Sequence, residues 1–341
     1  MTLAATLLDG VGRLCGPLDV VRRALYRSMV PWLGAWIRDR DVRIGIHGVS
    51  VVFGAFALAL VVPLWLLALG PLILGVPHLL ADVRYLIVRP GLHKRSAALP
   101  IGLLLVLCTV LVDLRIGLFA VALAPLLATG SWRNKVLVTV PFLALFVAAM
   151  LWLRSTHVAL AHVHNLVAIA LWVVLGTALH PPSANSQWPR WVTVVPFIGG
   201  GLAILLGAAD GWMGPALGPS ITEHMQTLAP GLDATWAVRW VVLFAYAQAV
   251  HYGLWLRIMP EVARKRPAPR SWTASLTALR RDFGDPVLAG FVLLTVGIAV
   301  WGVFDLVAAR AGYLRLALFH GPLELAVLGI VTVEGRKVLH P

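Results

Sequence analysis

Long apolar runs separated by short polar connectors occupy most of this chain. A helix that crosses a bilayer needs about 20 apolar residues, because each residue adds about 1.5 Å along the helix axis. Ten runs approach that length, and each predicts a membrane-spanning helix. They are 46–69, 71–88, 98–112, 116–131, 136–153, 157–179, 191–209, 238–257, 286–308 and 314–334. The pattern therefore predicts an all-α, polytopic integral membrane protein.

The third and fourth runs are the weakest, because Asp113 and Arg115 interrupt the apolar sequence between them. The two runs could instead form one long kinked helix. Lys and Arg argue for the larger count, since they concentrate in cytoplasmic connectors. With ten spans, the external side holds only Arg115, Arg154, Arg239, Arg310 and Arg315. We therefore predict ten spans, with the N- and C-termini in the cytoplasm.

The chain divides into two predicted regions. Residues 1–43 are too polar to span, and apolar residues recur there at helical spacing between arginines, as in an amphipathic segment at the membrane interface. Residues 44–341 are predicted to form a single transmembrane helical domain. Within it, the loop 210–237 carries acids but no Lys or Arg and is predicted to be external. The loop 258–285 is basic and is predicted to be cytoplasmic.

Composition narrows the class of protein. The chain of 341 residues is 60% hydrophobic and 13% charged, whereas soluble domains are about 25% charged. A net charge of +13 could indicate a nucleic-acid partner. The basic residues lie in connectors between apolar runs, so we expect no nucleic-acid binding. The expected partner is the lipid bilayer, and the expected location is a bacterial-type inner (plasma) membrane.

Two phrases place a histidine and an acid one helical turn apart in apolar sequence. They are His78 with Asp82, and His320 with Glu324. Residues at i and i+4 share a helix face, so each pair aims an imidazole and a carboxylate in one direction. Ionisable groups inside a membrane are expensive and are usually functional. The alternative is a hydrogen-bonded pair that only packs helices together, with Arg84 or Tyr85 as a partner of Asp82.

Further histidines lie in two other predicted spans. The sixth span holds His162, His164 and Asn165, and the eighth holds His251 between Gln248 and Tyr252. His162 and His164 point about 160° apart at 100° per residue, so both cannot easily face one centre; His164 is preferred, with His162 close behind. The predicted metal ligands are His78, His162, His164, His251 and His320. The residues predicted to orient them are Asp82, Asn165, Gln248, Tyr252 and Glu324.

The phrase Gly75-Val76-Pro77-His78-Leu79-Leu80-Ala81-Asp82 resembles the Gly-x-Pro-His-x-x-x-Asp phrase of the Brp/Blh-like bacterial β-carotene-cleaving dioxygenases. Members of that family are all-helical membrane enzymes with a histidine-ligated iron. The resemblance implies Fe(II), O₂ and a long polyene substrate. It implies that His78 is a ligand, that His162 or His164 follows in the sixth span, and that His251 lies in the late histidine region.

These observations favour a membrane-embedded metal oxygenase that acts on a lipophilic small molecule with O₂. Three alternatives stay open on sequence alone. A transporter or permease could use the same His, Asp and Glu residues as a relay. A b-type haem protein could use two of the histidines as axial ligands. A structural subunit could use the polar groups only to join helices.

Overall fold

The computed structural model describes residues 2–95, 98–180, 190–207, 210, 221–264, 268–335 and 338. Within these ranges the chain is helical, and no strand occurs. Parts of the predicted loops 210–237 and 258–285, and Arg336, Lys337 and His340, lie outside the described residues.

The helices follow the apolar runs. Their bounds are α1 Leu3–Arg38, α2 Arg40–Val61, α3 Pro63–Val88, α4 Ala98–Cys108, α5 Leu114–Leu127, α6 Trp132–Leu151, α7 Leu153–Leu179, α8 Trp191–Leu205, α9 Ile221–Leu228, α10 Ala234–Val262, α11 Trp272–Phe283, α12 Asp285–Phe304 and α13 Leu306–Glu334. Helix α9 lies within the predicted external loop. Helix α11 lies within the predicted basic loop and has Ser271 as its N-cap.

Seven of the described helices are long and apolar enough to cross a membrane. They are α2, α3, α6, α7, α10, α12 and α13. Helices α5 and α8 are apolar but shorter, and α4 has 11 residues. A helix of that length spans only about half of a hydrocarbon core at 1.5 Å per residue. The polytopic membrane class is thus supported, whereas the count of ten spans stays a prediction.

One predicted boundary is wrong, and one alternative is excluded, each for an identifiable reason. The first span ends at Val61 and the next begins at Pro63, not near residue 70, because Val62 leaves the helical conformation (φ −137°, ψ 50°). Pro63 lacks a backbone N–H, which suits the first position of a helix. The single kinked helix considered for 98–131 does not form, because Asp113 is extended and caps α5 by accepting from the Arg115 amide at 2.7 Å.

Helices α3, α10 and α13 form the centre of the bundle. In the most apolar window of each, 61%, 72% and 67% of the residues are buried, against 6–33% in the other four candidate spans. The core between them includes Leu79, Trp255 and Leu323, each at most 2% exposed. A helix buried on most of its faces presents polar groups to other helices rather than to lipid. These three helices are therefore where a polar site can be protected from the bilayer.

The two ends of the bundle carry different polar contacts. At one end, Arg43 of α2 donates to Glu261 of α10 at 2.7 Å, and Arg84 of α3 lies 2.7 Å from Asp282 of α11. At the other end, Arg154 of α7 donates to the carbonyl of Gln226 at 3.4 Å. Residues predicted to share a side of the membrane therefore contact one another. Which end faces the cytoplasm stays a prediction.

The N-terminal segment forms one helix, α1, which packs against α11 and α12. The Asp19 carboxylate accepts hydrogen bonds from the backbone amides of Trp272 and Thr273 at 2.8 and 3.1 Å and from the Thr273 hydroxyl at 2.8 Å. These donors lie in the first turn of α11, where backbone amides have no partner within the helix. Asp19 thus joins the two helices by capping one of them. The predicted location of α1 at the membrane interface stays a prediction.

Candidate metal centre

Four imidazoles from four helices meet in the middle of the bundle. The His78 ring centroid lies 4.4 Å from that of His251 and 5.6 Å from that of His320. The His164 ring lies 5.6 Å from His251 and 5.1 Å from His320. The His251 and His320 rings are 6.3 Å apart. Helices α3, α7, α10 and α13 thus each contribute one histidine to what we call the histidine cluster.

Two carboxylates complete the histidine cluster. Asp82 Oδ2 lies 3.2 Å from His78 Nε2 on the same helix, as the i, i+4 spacing predicts. Glu324 Oε1 lies 3.5 Å from His251 Nε2, which belongs to a different helix. His78, Asp82, His251 and Glu324 are all fully buried. These four residues are out of contact with solvent, whereas His164 and His320 are only partly buried.

In three of the four imidazole rings, hydrogen bonds determine which nitrogen carries the proton and which has the lone pair. Nδ1 of His164 lies 3.1 Å from the Leu160 carbonyl, and Nδ1 of His320 lies 2.5 Å from the Ala317 carbonyl. A carbonyl only accepts, so each Nδ1 must carry the proton. Nε2 of both rings is then left with a lone pair, which is the form in which imidazole binds a metal.

Asn165 fixes the third ring. Its amide nitrogen donates to the Ala161 carbonyl at 3.2 Å, so its oxygen faces Nδ1 of His251 at 3.0 Å. The amide oxygen accepts from that nitrogen, which leaves a lone pair on Nε2 of His251. That lone pair faces Glu324 Oε1 at 3.5 Å. Two acceptors that face each other in a buried site repel unless a proton or a metal ion lies between them.

The histidine cluster leaves many buried polar atoms without a hydrogen-bond partner in the described part of the chain. They are His78 Nδ1 and Nε2, both oxygens of Asp82, Nε2 of His251, Nε2 of His320 and both oxygens of Glu324. Buried polar atoms are nearly always paired, and each unpaired group costs about 1–3 kcal/mol. Together these unpaired polar atoms, with no Lys or Arg among them, form a donor set that could hold a metal ion.

The spacing of the donor atoms suits one ion. One donor atom from each of His78, Asp82 and His251 lies within 4.8 Å of the others. Ligands at about 2.1 Å from a shared ion are at most about 4.2 Å apart. Small side-chain rotations are therefore enough to close these three groups on an ion. Imidazole and carboxylate donors together suit iron, zinc or manganese.

Irregular helix turns position the ligands. A π-helical turn at Pro71–Gly75 precedes His78, and another at Leu254–Ile258 follows His251. A 3₁₀ turn at Ala317–Phe319 precedes His320. Such turns rotate the residues beyond them relative to a regular helix and are frequent at functional sites. Gly75 also matters here, because a Cβ at that position would overlap the ring of Tyr313.

A cavity of about 410 Å³ reaches the histidine cluster from one end of the bundle. His164 and His320 lie at its inner end. Its walls carry apolar side chains, namely Leu114, Val158, Leu160, Phe244 and Leu314. Its volume falls within the range of about 300–1,000 Å³ that is typical of small-molecule sites. A lipophilic molecule in this cavity would lie directly against two of the imidazoles.

A polar network lies between the cavity and His78. Gln248 Nε2 donates to the Tyr252 hydroxyl at 3.3 Å, and that hydroxyl lies 3.3 Å from the hydroxyl of Tyr313. The Tyr252 ring is 4.8 Å from the His78 ring. Gln248 and Tyr252, predicted as neighbours of the ligands, thus lie at the cluster. Tyr313 was missed, because beside Arg315 at the end of an apolar run it has the pattern of an interface residue.

His162 lies apart from the histidine cluster. Its Nε2 is 2.8 Å from the Leu228 carbonyl, and its ring packs against Trp240 and Phe244. Of the two candidates in the sixth predicted span, the structure brings His164 to the other imidazoles and directs His162 to α9 and α10. Arg84, considered as a partner for Asp82, pairs with Asp282 instead.

We find no protein-family model, curated protein or solved structure that matches this chain.

Proposed function

We propose that this protein is a membrane-embedded metalloenzyme that holds an ion, with iron favoured, at the histidine cluster and oxidises a lipophilic molecule in the adjoining cavity with O₂. The observation that carries this proposal is the meeting of four imidazoles and two carboxylates from four helices, with their acceptor atoms facing one another. His78, His164, His251 and His320 are the proposed ligands. His162 is not among them, because it hydrogen-bonds the Leu228 carbonyl.

The proposed division of labour follows from the contacts. Iron(II) held by imidazoles with an open position would supply O₂ binding beside the cavity. Asn165 would hold the His251 ring in its ligand form. The apolar cavity walls would exclude water and orient the substrate chain against His164 and His320. A long polyene, as in the family that the phrase at 75–82 resembles, is one candidate for that chain.

The alternatives fit the site less well. An axially ligated haem needs a flat space between two facing imidazoles, whereas His164 and His320 occupy the space beside His78 and His251.

A permease with a proton relay is the second candidate, because a cavity that reaches buried ionisable groups from one end is also one state of a transporter. Substrate flux by metal-free protein in proteoliposomes would support the permease.

Metal analysis tests the proposal. The protein would be purified in detergent and its iron, zinc, manganese and copper measured by mass spectrometry, before and after anaerobic incubation with Fe(II). We expect about one ion per chain in the wild type and its loss in His78→Ala and His251→Ala, because each substitution removes a ligand. O₂ consumption with extracted membrane lipids would follow the bound metal.

The matched control is His162→Ala, which removes a histidine from the same helix as His164 but not from the cluster. We expect this variant to keep its metal. A wild-type protein that binds no ion under either condition would contradict the proposal, as would equal metal loss in His162→Ala and His78→Ala when all variants elute as monodisperse protein.

A further inference from the structure

The cavity beside the histidine cluster has chemically different ends. Its inner end carries His164 and His320, and its middle is apolar. Arg154 and Arg310 also line the cavity; each precedes His164 or His320 by ten residues on α7 or α13, about 15 Å along the helix, and so lies toward the outer end. An unsubstituted hydrocarbon offers no partner for a cation, and a charge near lipid is costly unless it is paired. The two arginines therefore indicate that the molecule bound in the cavity has a group that can pair with a cation.

Arg310 is held in place by only one of its donors. Its Nε donates to the Leu67 carbonyl at 2.9 Å, which ties α13 to α3 and directs the guanidinium along the cavity wall. Its two terminal nitrogens form no hydrogen bond or ion pair with any residue that the structure describes. Glu223 lines a small neighbouring cleft with Arg310 but does not reach ion-pair distance. The free edge of this guanidinium suits a carboxylate or phosphate, which it can bind with two parallel hydrogen bonds.

Arg154 stands near the mouth of the same cavity. It is exposed and makes one long hydrogen bond to the Gln226 carbonyl, at 3.4 Å. Some arginines at the opposite end of the bundle pair with acids, as Arg43 does with Glu261 and Arg84 with Asp282, both at 2.7 Å. Neither cavity arginine lies within ion-pair distance of an acid in the described residues, and both line one space.

We propose that the cavity binds one amphipathic molecule, with an anionic headgroup at Arg310 and Arg154 and an apolar chain that extends to His164 and His320. The inference rests on the proposed function in one respect, because the chain end at the histidine cluster is the part that the metal would oxidise. A volume of about 410 Å³ holds a single small molecule of this class. The shared headgroup chemistry is a carboxylate or a phosphate monoester on a long single chain.

Binding of defined lipids tests this without any catalysis. The purified full-length protein would be titrated with cis-parinaric acid, a fluorescent long-chain carboxylate, and the probe displaced with oleic acid, oleyl phosphate and oleyl alcohol. We expect the better of the two anions to bind at least about tenfold tighter than the alcohol, as one charge-assisted pair provides. The comparison of the two anions distinguishes a carboxylate from a phosphate headgroup.

Arg310→Gln and Arg154→Gln identify the residues that bind the headgroup. We expect Arg310→Gln to weaken anion binding about tenfold and to leave alcohol binding nearly unchanged. Arg315→Gln is the control, because Arg315 is an exposed arginine on the same helix that does not line the cavity. It should bind all ligands as the wild type does.

Equal binding of anions and alcohol by the wild type would overturn the inference, even if Arg310→Gln failed to fold. Loss of anion preference in Arg315→Gln to the same degree as in Arg310→Gln would also overturn it. Metal content measured on the same samples separates the two proposals. Anion preference in a protein that never binds metal would support this inference and contradict the proposed function, and a metal-loaded protein without anion preference would do the reverse.

Discussion

The contact between Asn165 and His251 shows how one side-chain amide can determine the tautomer of a neighbouring imidazole ring. Asn165 donates to a carbonyl of its own helix, α7, and accepts from Nδ1 of His251 on α10. The proton on Nδ1 leaves the lone pair of Nε2 directed at Glu324. A residue that orients a metal ligand in this way contributes to metal affinity without touching the ion.

Substitution of Asn165 tests that role. Asn165→Leu removes the acceptor and should lower metal affinity by about 10–100-fold. Asn165→Asp keeps an acceptor facing His251 and should restore most of the affinity, which a purely steric role of Asn165 would not explain. Competition with a calibrated chelator measures the affinities. Equal affinities for the leucine variant and the wild type would contradict the assignment.

Glu324→Gln separates a metal site from a structural ion pair. If Glu324 acts at the metal site by contacting His251, its replacement should weaken metal binding by at least about tenfold. As half of a buried ion pair with a protonated His251, its loss would destabilise the metal-free protein by about 3–5 kcal/mol. We expect lower metal affinity with no fall in the melting temperature of chelator-treated protein, measured by intrinsic fluorescence. A large fall in that temperature would support the ion pair.

The sequence predicted five candidate ligands, and the structure brings four of them together. The i, i+4 spacing was sufficient to place Asp82 beside His78, because one helix fixes both. It was not sufficient to choose between His164 and His162, because the rotation of a helix depends on its neighbours. The i, i+4 spacing pairs Glu324 with His320 on the same helix. In the structure Glu324 also lies near His251, and that contact joins α10 to α13. The spacing of residues along one helix does not predict which residues of another helix they contact.

At the scale of elements, the junction of α1 with α11 depends on one carboxylate. Asp19 accepts three hydrogen bonds from Trp272 and Thr273 at the start of α11. Burial acts to raise the pKa of Asp19, but the hydrogen bonds and nearby Arg22 outweigh burial and hold the pKa below its ordinary value. The stabilisation is therefore present at neutral pH and is lost as the pH falls through the lowered pKa of Asp19.

Asp19→Ala should release this junction. The loss of a helix cap costs about 1 kcal/mol, so hydrogen exchange in α1 and the first turn of α11 should rise about fivefold, while exchange in α3 and α10 should not change. Acidification below the lowered pKa of Asp19 should produce the same local increase in the wild type and little further change in Asp19→Ala. An unchanged exchange rate in α11 of the variant would contradict the role of Asp19.

Element boundaries were predicted less well than the elements themselves. Apolar runs predict helices in a membrane because a backbone without water must satisfy its own hydrogen bonds. They do not show where a helix restarts within a continuous apolar run, as at Pro63. Proline and Asp113 were visible signals for those breaks. The π-helical turns at Pro71–Gly75 and Leu254–Ile258 had no clear signal beyond Pro71, because they depend on how neighbouring helices pack.

At the scale of the whole molecule, the least apolar candidate span is the most buried. The α10 window has a mean hydropathy of 1.2 and 72% of its residues are buried, whereas the α12 window has a mean hydropathy of 2.4 and 17% buried. Polar residues in a span thus indicate a central position, because they must face protein rather than lipid. Hydropathy could have predicted the centre of the bundle, but not the order of helices around it.

The orientation in the membrane can be tested by labelling. Leu232→Cys and Arg281→Cys place exposed thiols at opposite ends of the bundle, in a background that carries Cys15→Ser and Cys108→Ser. A membrane-impermeant maleimide applied to intact cells should label position 232 and should label position 281 only after permeabilisation. The reverse pattern would contradict the predicted cytoplasmic termini.

The histidine cluster and its two carboxylates include residues of α3, near the start of the membrane domain, and of α13, at the end of the described chain. Asp82 therefore enters the membrane long before His320 and Glu324 have been synthesised. Until α13 inserts, the bilayer holds a polypeptide with only part of the histidine cluster. On the proposed function, metal loading would accordingly be a late step of biogenesis, and a chain terminated before α13 would expose unpaired buried acids.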